Sequence, residues 1–408
     1  MTGKRARGAW RFLGSIFSVA VGVTLLLSAF CSSRFAVRDW DFVLQSPWMD
    51  PWAQTWIRRG DSARFQDLDT VRAVEAYWQG VGRNPLLFGG WFALARLERQ
   101  LDAGPRADAL HDFLIKRVPP STPWRWHQLL LAADRKDDAA FAEAFNFVLN
   151  RLPEHRQEAL QLALEFWSGW PEILGRTASE NKWTVLEECM ARQAVDACTE
   201  LYSHLETDES VPLDAVRQAG FIEFLLANTR WAEAAQVWRR SELYQGTLVS
   251  NGQFETPLSG MAFDWRLGRL QGVEVRREPR RAAGKGQAMR FHFLGTTNLH
   301  YDHCWQYVPI QPGTLYELRF AWKSERLSTD QGVYMDVRGE GCDALSVQSP
   351  AITGSRDWSE ETLVFLAPEG CRMARVGMKR DESLKFDNKI AGDVWLDAVE
   401  MIEKRVQP

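Results

Sequence analysis

The arrangement of apolar and polar positions changes character twice along the chain. Phe12 to Ser33 form an uncharged, largely apolar run, and Lys4, Arg5, Arg7 and Arg11 precede it. From Pro51 to about Tyr244, apolar residues recur at the spacing of one helix face; past Asn251 they alternate with polar ones. The pattern predicts an apolar helix, then a helical region, then a set of strands. The stretch Leu248–Leu267 marks the second change of texture.

A run of roughly 20 apolar residues crosses a bilayer core as a helix. Residues 12–33 therefore predict a transmembrane signal anchor, with 1–11 a basic tail and 34–50 a linker. Positive charge on the leading side places the tail in the cytoplasm. The bulk of the chain then lies across the membrane, which in a bacterium means a single pass through the inner membrane and a periplasmic body. A cleaved signal peptide has a shorter apolar core and a small-residue site, and Ser28-Ala-Phe30 fits that poorly. Acylation at Cys31 would want a small residue where Phe30 stands.

In the last part, Met289, Phe291 and Phe293 share one face of a strand, with Ala288, Arg290 and His292 on the other. Tyr316, Leu318, Phe320 and Trp322 alternate with Glu317, Arg319 and Ala321. Val333, Met335 and Val337 alternate with Tyr334, Asp336 and Arg338. Further strands are expected at Thr362–Leu366, Met373–Met378 and Val394–Ile402, with turns at Gln311-Pro-Gly313, Ala367-Pro-Glu-Gly370 and Ala391-Gly392. About eight short strands at this spacing predict a two-sheet jelly roll or a related sandwich.

The outward residues supply the candidate chemistry. Arg290, His292, Arg319, Tyr334, Asp336 and Arg338 read as one polar row able to hold sugar hydroxyls, with Trp305 or Tyr307 as an aromatic platform. The same alternation is also what any half-solvated sheet shows. His300-Tyr-Asp-His-Cys304 sends its possible ligands to opposite strand faces, which argues against a metal site.

Composition narrows the classes. At 408 residues the chain exceeds one core. Nineteen tryptophans raise the weight of packing, interfaces and sugar stacking together. A net charge of −4 makes no case for nucleic acid. Six cysteines without a Cys-x-x-Cys fit no zinc pattern; in an oxidising compartment Cys189–Cys198 and Cys342–Cys371 could pair. There is no Gly-x-Ser-x-Gly, no phosphate-cradling loop and no His-Glu-x-x-His, so the expectation is a non-enzyme. Plentiful acidic residues leave a paired-carboxylate glycosidase open.

Repeats add a second layer. Asn84-Pro85, Val118-Pro119 and Leu152-Pro153 set prolines 34 residues apart, which is the spacing of tetratricopeptide helix pairs. Ala73 and Ala107 stand at the small-residue position, Tyr77 and Phe145 at the aromatic one, and Trp91 and Leu94 in the first helix. Phe141 and His111 depart from the pattern. Residues 51–245 thus resemble a tetratricopeptide solenoid, which implies a concave surface for protein partners. Trp91, Trp124, Trp126, Trp167, Trp170 and Trp238 read as stacking core.

Residues 246–406 resemble the jelly-roll carbohydrate-binding modules and their galactose-binding-like relatives. Asn251-Gly-Gln-Phe-Glu255, Gln306-Tyr-Val-Pro-Ile-Gln-Pro-Gly-Thr-Leu-Tyr316 and Trp395-Leu-Asp397 carry the likeness. That family implies a structural calcium between first and last strands, which would fall on Glu255 and Asp397 with Asn251 nearby, hard oxygen donors that suit the ion. It also implies that Asn251–Glu255 is the first strand. Anchor, repeats and sandwich in that order resemble membrane-anchored proteins of bacterial exopolysaccharide or O-antigen systems. The implied role is an accessory scaffold between an envelope glycan and an integral-membrane polymerase, ligase or export protein. The alternatives are an assembly factor whose sandwich makes only protein contacts, or a glycoside hydrolase or lyase.

Overall fold

The computed structural model describes residues 21–101, 104–118, 122–280, 286–386 and 388–404. The expected basic tail and residues 12–20 of the expected anchor lie outside them. A helix described over residues 21–36 (α1) exposes Leu25 and Leu26. Among the described residues no helix is long and apolar enough to cross a membrane. The chain divides into two compact units. One runs to Arg192 and includes Ala197–His204; the other comprises Gln193–Asp196 and the residues from Leu205 onward. The boundary expected at residue 245 thus falls inside the second unit.

The first unit is helical. After a short α2 (Trp40–Gln45), three helix pairs follow: α3 (Ala53–Phe65) with α4 (Thr70–Arg83), α5 (Phe88–Leu101) with α6 (Pro105–Arg117), and α7 (Thr122–Arg135) with α8 (Asp138–Arg151). The pairs keep the spacing of the prolines. Local chemistry starts and stops them. The Asp69 carboxylate accepts from the Arg72 amide at 3.0 Å, and Asp137 from Ala140 at 3.1 Å, each satisfying an N-terminal donor that the helix cannot. Helix α4 ends at Asn84 because Pro85 disfavours helical geometry in the residue before it.

Packing explains the two departures from the repeat. Phe141 is fully buried and stacks on Phe166 at 4.1 Å, so its bulk fills space that a small residue would leave. His111 is buried and accepts a hydrogen bond from Arg135 at 2.6 Å; burial and that guanidinium both hold its pKa below the ordinary value. Helices α9 (Arg156–Trp167), α10 (Trp170–Arg176) and α11 (Ser179–Ala191) complete the unit, while α12 (Val195–Glu206) contributes to both. Cys189 and Cys198 are buried and are not joined; their thiols hydrogen-bond, which together with burial raises the Cys189 pKa.

The second unit opens with α13 (Ala215–Ala227) and α14 (Trp231–Arg240) and continues as two five-stranded antiparallel sheets. In order across the sheet, the first holds β1 (Arg266–Leu267), β4 (Tyr301–Pro309), β9 (Met373–Arg380), β6 (Tyr334–Gly339) and β7 (Ser346–Gln348). The second holds β2 (Val273–Pro279), β3 (Gln287–Leu294), β10 (Ala391–Lys404), β5 (Leu315–Ser328) and β8 (Gly354–Leu366). The chain crosses between the sheets after β1, β3, β4, β5, β7, β8 and β9, and stays in one sheet from β2 to β3 and from β6 to β7, as a jelly roll does. Phe291, Phe293, Phe320, Trp322 and Leu396 from one sheet share a core with Cys304, Val308, Met335, Val337 and Met378 from the other. Cys342 and Cys371 form the expected disulfide, with Cα atoms 5.5 Å apart.

Asn251–Glu255 is a compact turn rather than the expected first strand. Asn251 and Phe254 have φ of 49° and 54°, which no strand adopts. The Asn251 side chain closes the turn, donating to the Thr256 carbonyl at 3.0 Å and accepting from its amide at 3.3 Å. The turn is pinned to β10. The Val399 amide donates to the Gly252 carbonyl at 2.9 Å, and a Cβ on Gly252 would meet the Val399 oxygen at 1.9 Å. Only glycine fits there. Phe254 then packs on Trp265 at 5.3 Å, both fully buried.

Candidate functional site

Alternation along a strand assigns a side chain to a face, but not to a sheet. Arg290 and His292 on β3 and Arg319 on β5 belong to one sheet; Tyr334, Asp336 and Arg338 on β6, with Trp305 and Tyr307 on β4, belong to the other. The single row expected from sequence is therefore two separate surfaces, which differ in what covers them.

The β4/β6 surface is internally engaged. Asp302 accepts from Arg338 and Arg375, each at 2.9 Å, and Asp336 pairs with Arg338 at 2.5 Å. Burial raises the Asp336 pKa against the charges of Arg338 and Lys379. The Tyr334 hydroxyl donates to Asp381 at 2.5 Å. The Trp305 ring lies 4.1 Å from the Arg375 guanidinium and 5.0 Å from that of Arg266. Tyr307 packs on Trp231 of α14 at 5.8 Å. Glu223 of α13 accepts from Arg266 at 2.5 Å and from the Ala262 amide. The expected platform is thus an interface with the unit's own helices.

The outer face of the second sheet is open and carries a groove of about 320 Å³. Its centre is Trp395 on β10, which alternates outward between buried Val394 and Leu396. Register sets Arg290 of β3 on one side of Trp395 and Lys323 of β5 on the other, with Arg276 of β2 beyond Arg290. The Arg290 guanidinium lies 5.6 Å and the Lys323 ammonium 5.2 Å from the Trp395 ring. At the β8 edge, Arg280 stacks 4.4 Å over Trp358 and donates to Asp397 at 2.7 Å.

Acidic groups hold these cations in place. Arg290 donates through Nε to Asp393 at 2.8 Å and through Nη1 to Glu278 at 2.9 Å, while His292 contacts Asp393 at 2.8 Å. Burial pushes both carboxyls up, but the hydrogen bonds and charge of Arg290 and its neighbours outweigh it and leave both below the usual range. A bulge between β5 and β10 adds one more group. Gly392, at φ 117°, lets the strands close so tightly that a Cβ would meet the Arg326 oxygen at 2.4 Å. Arg326 is turned to φ 51°, and Glu325 and Arg326 consecutively line the groove.

Arg319 stands apart, paired with Glu317, which Lys404 also holds at 2.5 Å. The calcium triad is only partly assembled. Glu255 accepts from the Gln287 amide at 3.0 Å and adds to the raised pKa of Asp397, after burial. Asp397 is already matched by Arg280, and Asn251 is turned to Thr256. Calcium takes six to eight oxygens, so an ion here would have to displace a guanidinium and recruit further donors. No group of three metal-ligating side chains occurs among the described residues.

Sequence reasoning reached Arg290 and His292 but passed over Trp395, Trp358, Lys323, Glu278 and Asp393 as site residues. Trp395 was legible, since it alternates with Val394 and Leu396; its neighbours on β5 and β8 come only from register.

No family model matches the chain, and no curated protein matches it. Solved structures are similar to it over the β half. One is the enzymatically active domain of tailspike protein 4 of bacteriophage CBA120, at 16% identity and a TM-score of 0.28, covering 39% of this chain. The match spans only 21% of that protein. A family 16 carbohydrate-binding module matches at 21% identity and a TM-score of 0.28, covering 38% of this chain and 99% of its own. A module solved with β-1,4-galactotriose matches at 16% and 0.28, covering 39% and 99%.

Proposed function

We propose that the jelly roll holds a segment of polysaccharide in the groove around Trp395, and that the protein is a non-catalytic accessory of a bacterial envelope polysaccharide system. The observation that carries this is a solvent-open groove with two tryptophans among hydrogen-bonding side chains that ion pairs hold rigid. Rigid polar groups beside aromatic surface are what orient a flexible, hydroxyl-rich ligand at low entropic cost. The basic tail and apolar run at the N-terminus support membrane anchoring, and the Cys342–Cys371 disulfide supports an oxidising compartment such as the periplasm. The helix pairs of the first unit, resembling tetratricopeptide units, would engage the membrane-embedded synthesis or export protein.

A second reading, a purely protein-binding sandwich, is favoured by one observation: the β4 surface already packs against helix α14. Affinity electrophoresis of the full-length protein in detergent micelles against immobilised polysaccharides separates the two. Retention that Trp395→Ala removes without lowering the melting temperature supports glycan binding. Absence of retention on every polymer sinks it in favour of protein contacts, and release of new reducing ends would point instead to a hydrolase.

A further inference from the structure

Building on the glycan reading, we infer that the groove selects anionic polysaccharides, chains whose sugars carry carboxylate or an equivalent acidic group. Neutral sugars stack on bare aromatic faces, and here both indoles already have cations beside them: Arg280 on Trp358, and Arg290 with Lys323 at Trp395. A guanidinium or ammonium seated on an indole is held by the ring quadrupole while its outward N–H groups stay available. Stacking of this kind leaves the ring a support for the cation and makes the cation the contact surface.

The charge count agrees. The groove is lined by Arg276, Arg280, Arg290, Lys323 and Arg326 against Glu278, Glu325 and Asp393, although the whole chain is net −4. Each of the three acids is already engaged: Glu278 by Arg276 and Arg290, Asp393 by Arg290 and His292, and Glu325 by Lys323 at 2.7 Å. Asp397 in turn holds Arg280, so five cations face four acids and the surplus is one cation. Arg326 is exposed and forms no ion pair among the described residues, and the bulge at Gly392 is what brings it to the groove.

Placement suits a polymer. Arg276, Arg290, Trp395 and Lys323 stand in register on four adjacent strands, a row of roughly 14 Å across the sheet at the usual strand spacing. A chain laid across the strands would meet a cation on both sides of the central indole. Arg290 reserves Nε and Nη1 for Asp393 and Glu278, which leaves Nη2 for a ligand carboxylate.

The test uses the full-length protein in micelles with polygalacturonate and with the same polymer after its carboxyls are reduced to alcohols. Isothermal titration should show binding to the first, little to the second, and a loss of about tenfold from low to high salt. Arg326→Ala should weaken polygalacturonate binding by roughly fivefold without shifting the melting temperature, because the side chain is exposed. Equal affinity for the reduced polymer, or indifference to salt and to Arg326→Ala, overturns the anionic selectivity while leaving glycan binding in place. Binding of neither polymer, nor of any other glycan tried, removes both.

Discussion

Arg290 links the stability of the sandwich to the shape of its groove, and its removal gives the most demanding test of the site. Its side chain is 18% exposed and joins Asp393, 7% exposed, to Glu278, 25% exposed. Arg290→Ala leaves a buried carboxylate with only His292 beside it. Breaking a buried pair from one side costs about 3–5 kcal/mol. Because His292 and Arg276 each keep a contact to one acid, we place the loss near the lower end, about 3 kcal/mol at pH 7. For a unit of this size that is a fall of roughly 6–12 °C in melting temperature. The sign of the pH dependence follows. In the native protein Asp393 and Glu278 titrate below their ordinary values, so their contribution is present above the unfolded carboxylate range near pH 4 and fades as pH falls through the folded values. In the variant, burial is opposed by His292 alone, so the Asp393 carboxyl is less depressed and acid costs the variant less than the parent. The deficit should shrink as pH falls below about 4. Scanning calorimetry of both proteins measures it, the β transition being the one that moves when the disulfide is reduced. A deficit equal at pH 7 and at about pH 3 would refute the electrostatic origin, and Arg290→Lys should recover only part, since an ammonium cannot bridge both acids in a fork.

Other consequences are open to the same methods. Glu223→Ala frees the Arg266 guanidinium and the Ala262 amide, so the β transition should fall by about 1–3 kcal/mol, and residues 205–408 should melt higher than residues 246–408; equal melting of the two fragments would mean the helices are dispensable. Opening Cys342–Cys371, which closes a loop of 29 residues, should lower stability by about 3–4 kcal/mol by chain entropy, read as the shift between the protein and Cys342→Ser/Cys371→Ser. Calcium should raise the melting temperature of Arg280→Ala more than that of the parent, because Asp397 and Glu255 then lack the competing guanidinium; identical responses to calcium and chelator would leave the ion without a role at these carboxylates.

Periodicity alone determined the division into a helical and a strand-built half, the near-34-residue helix pairs and the inward sets such as Phe291 and Phe293. Helix and strand each impose a fixed side-chain repeat, so burial on one face is written directly into the order of residues. The turn at Asn251–Glu255 escaped because its left-handed backbone leaves no periodic trace. The remaining decisions were tertiary. Arg290 and Asp336 carry the same alternation, yet one borders an open groove and the other a closed ion-pair network on the opposite sheet. Trp305 looks as free as Trp395 in sequence, but the Arg266 beside it is held by Glu223 of α13, and Trp231 of α14 packs on its neighbour Tyr307. Which strand lies beside which, and what lands on the outer face, depends largely on contacts remote in sequence, such as Trp395 with Glu278, 117 positions apart. A groove made of Glu278, Arg290, Lys323, Trp358 and Trp395 exists only once those contacts have formed.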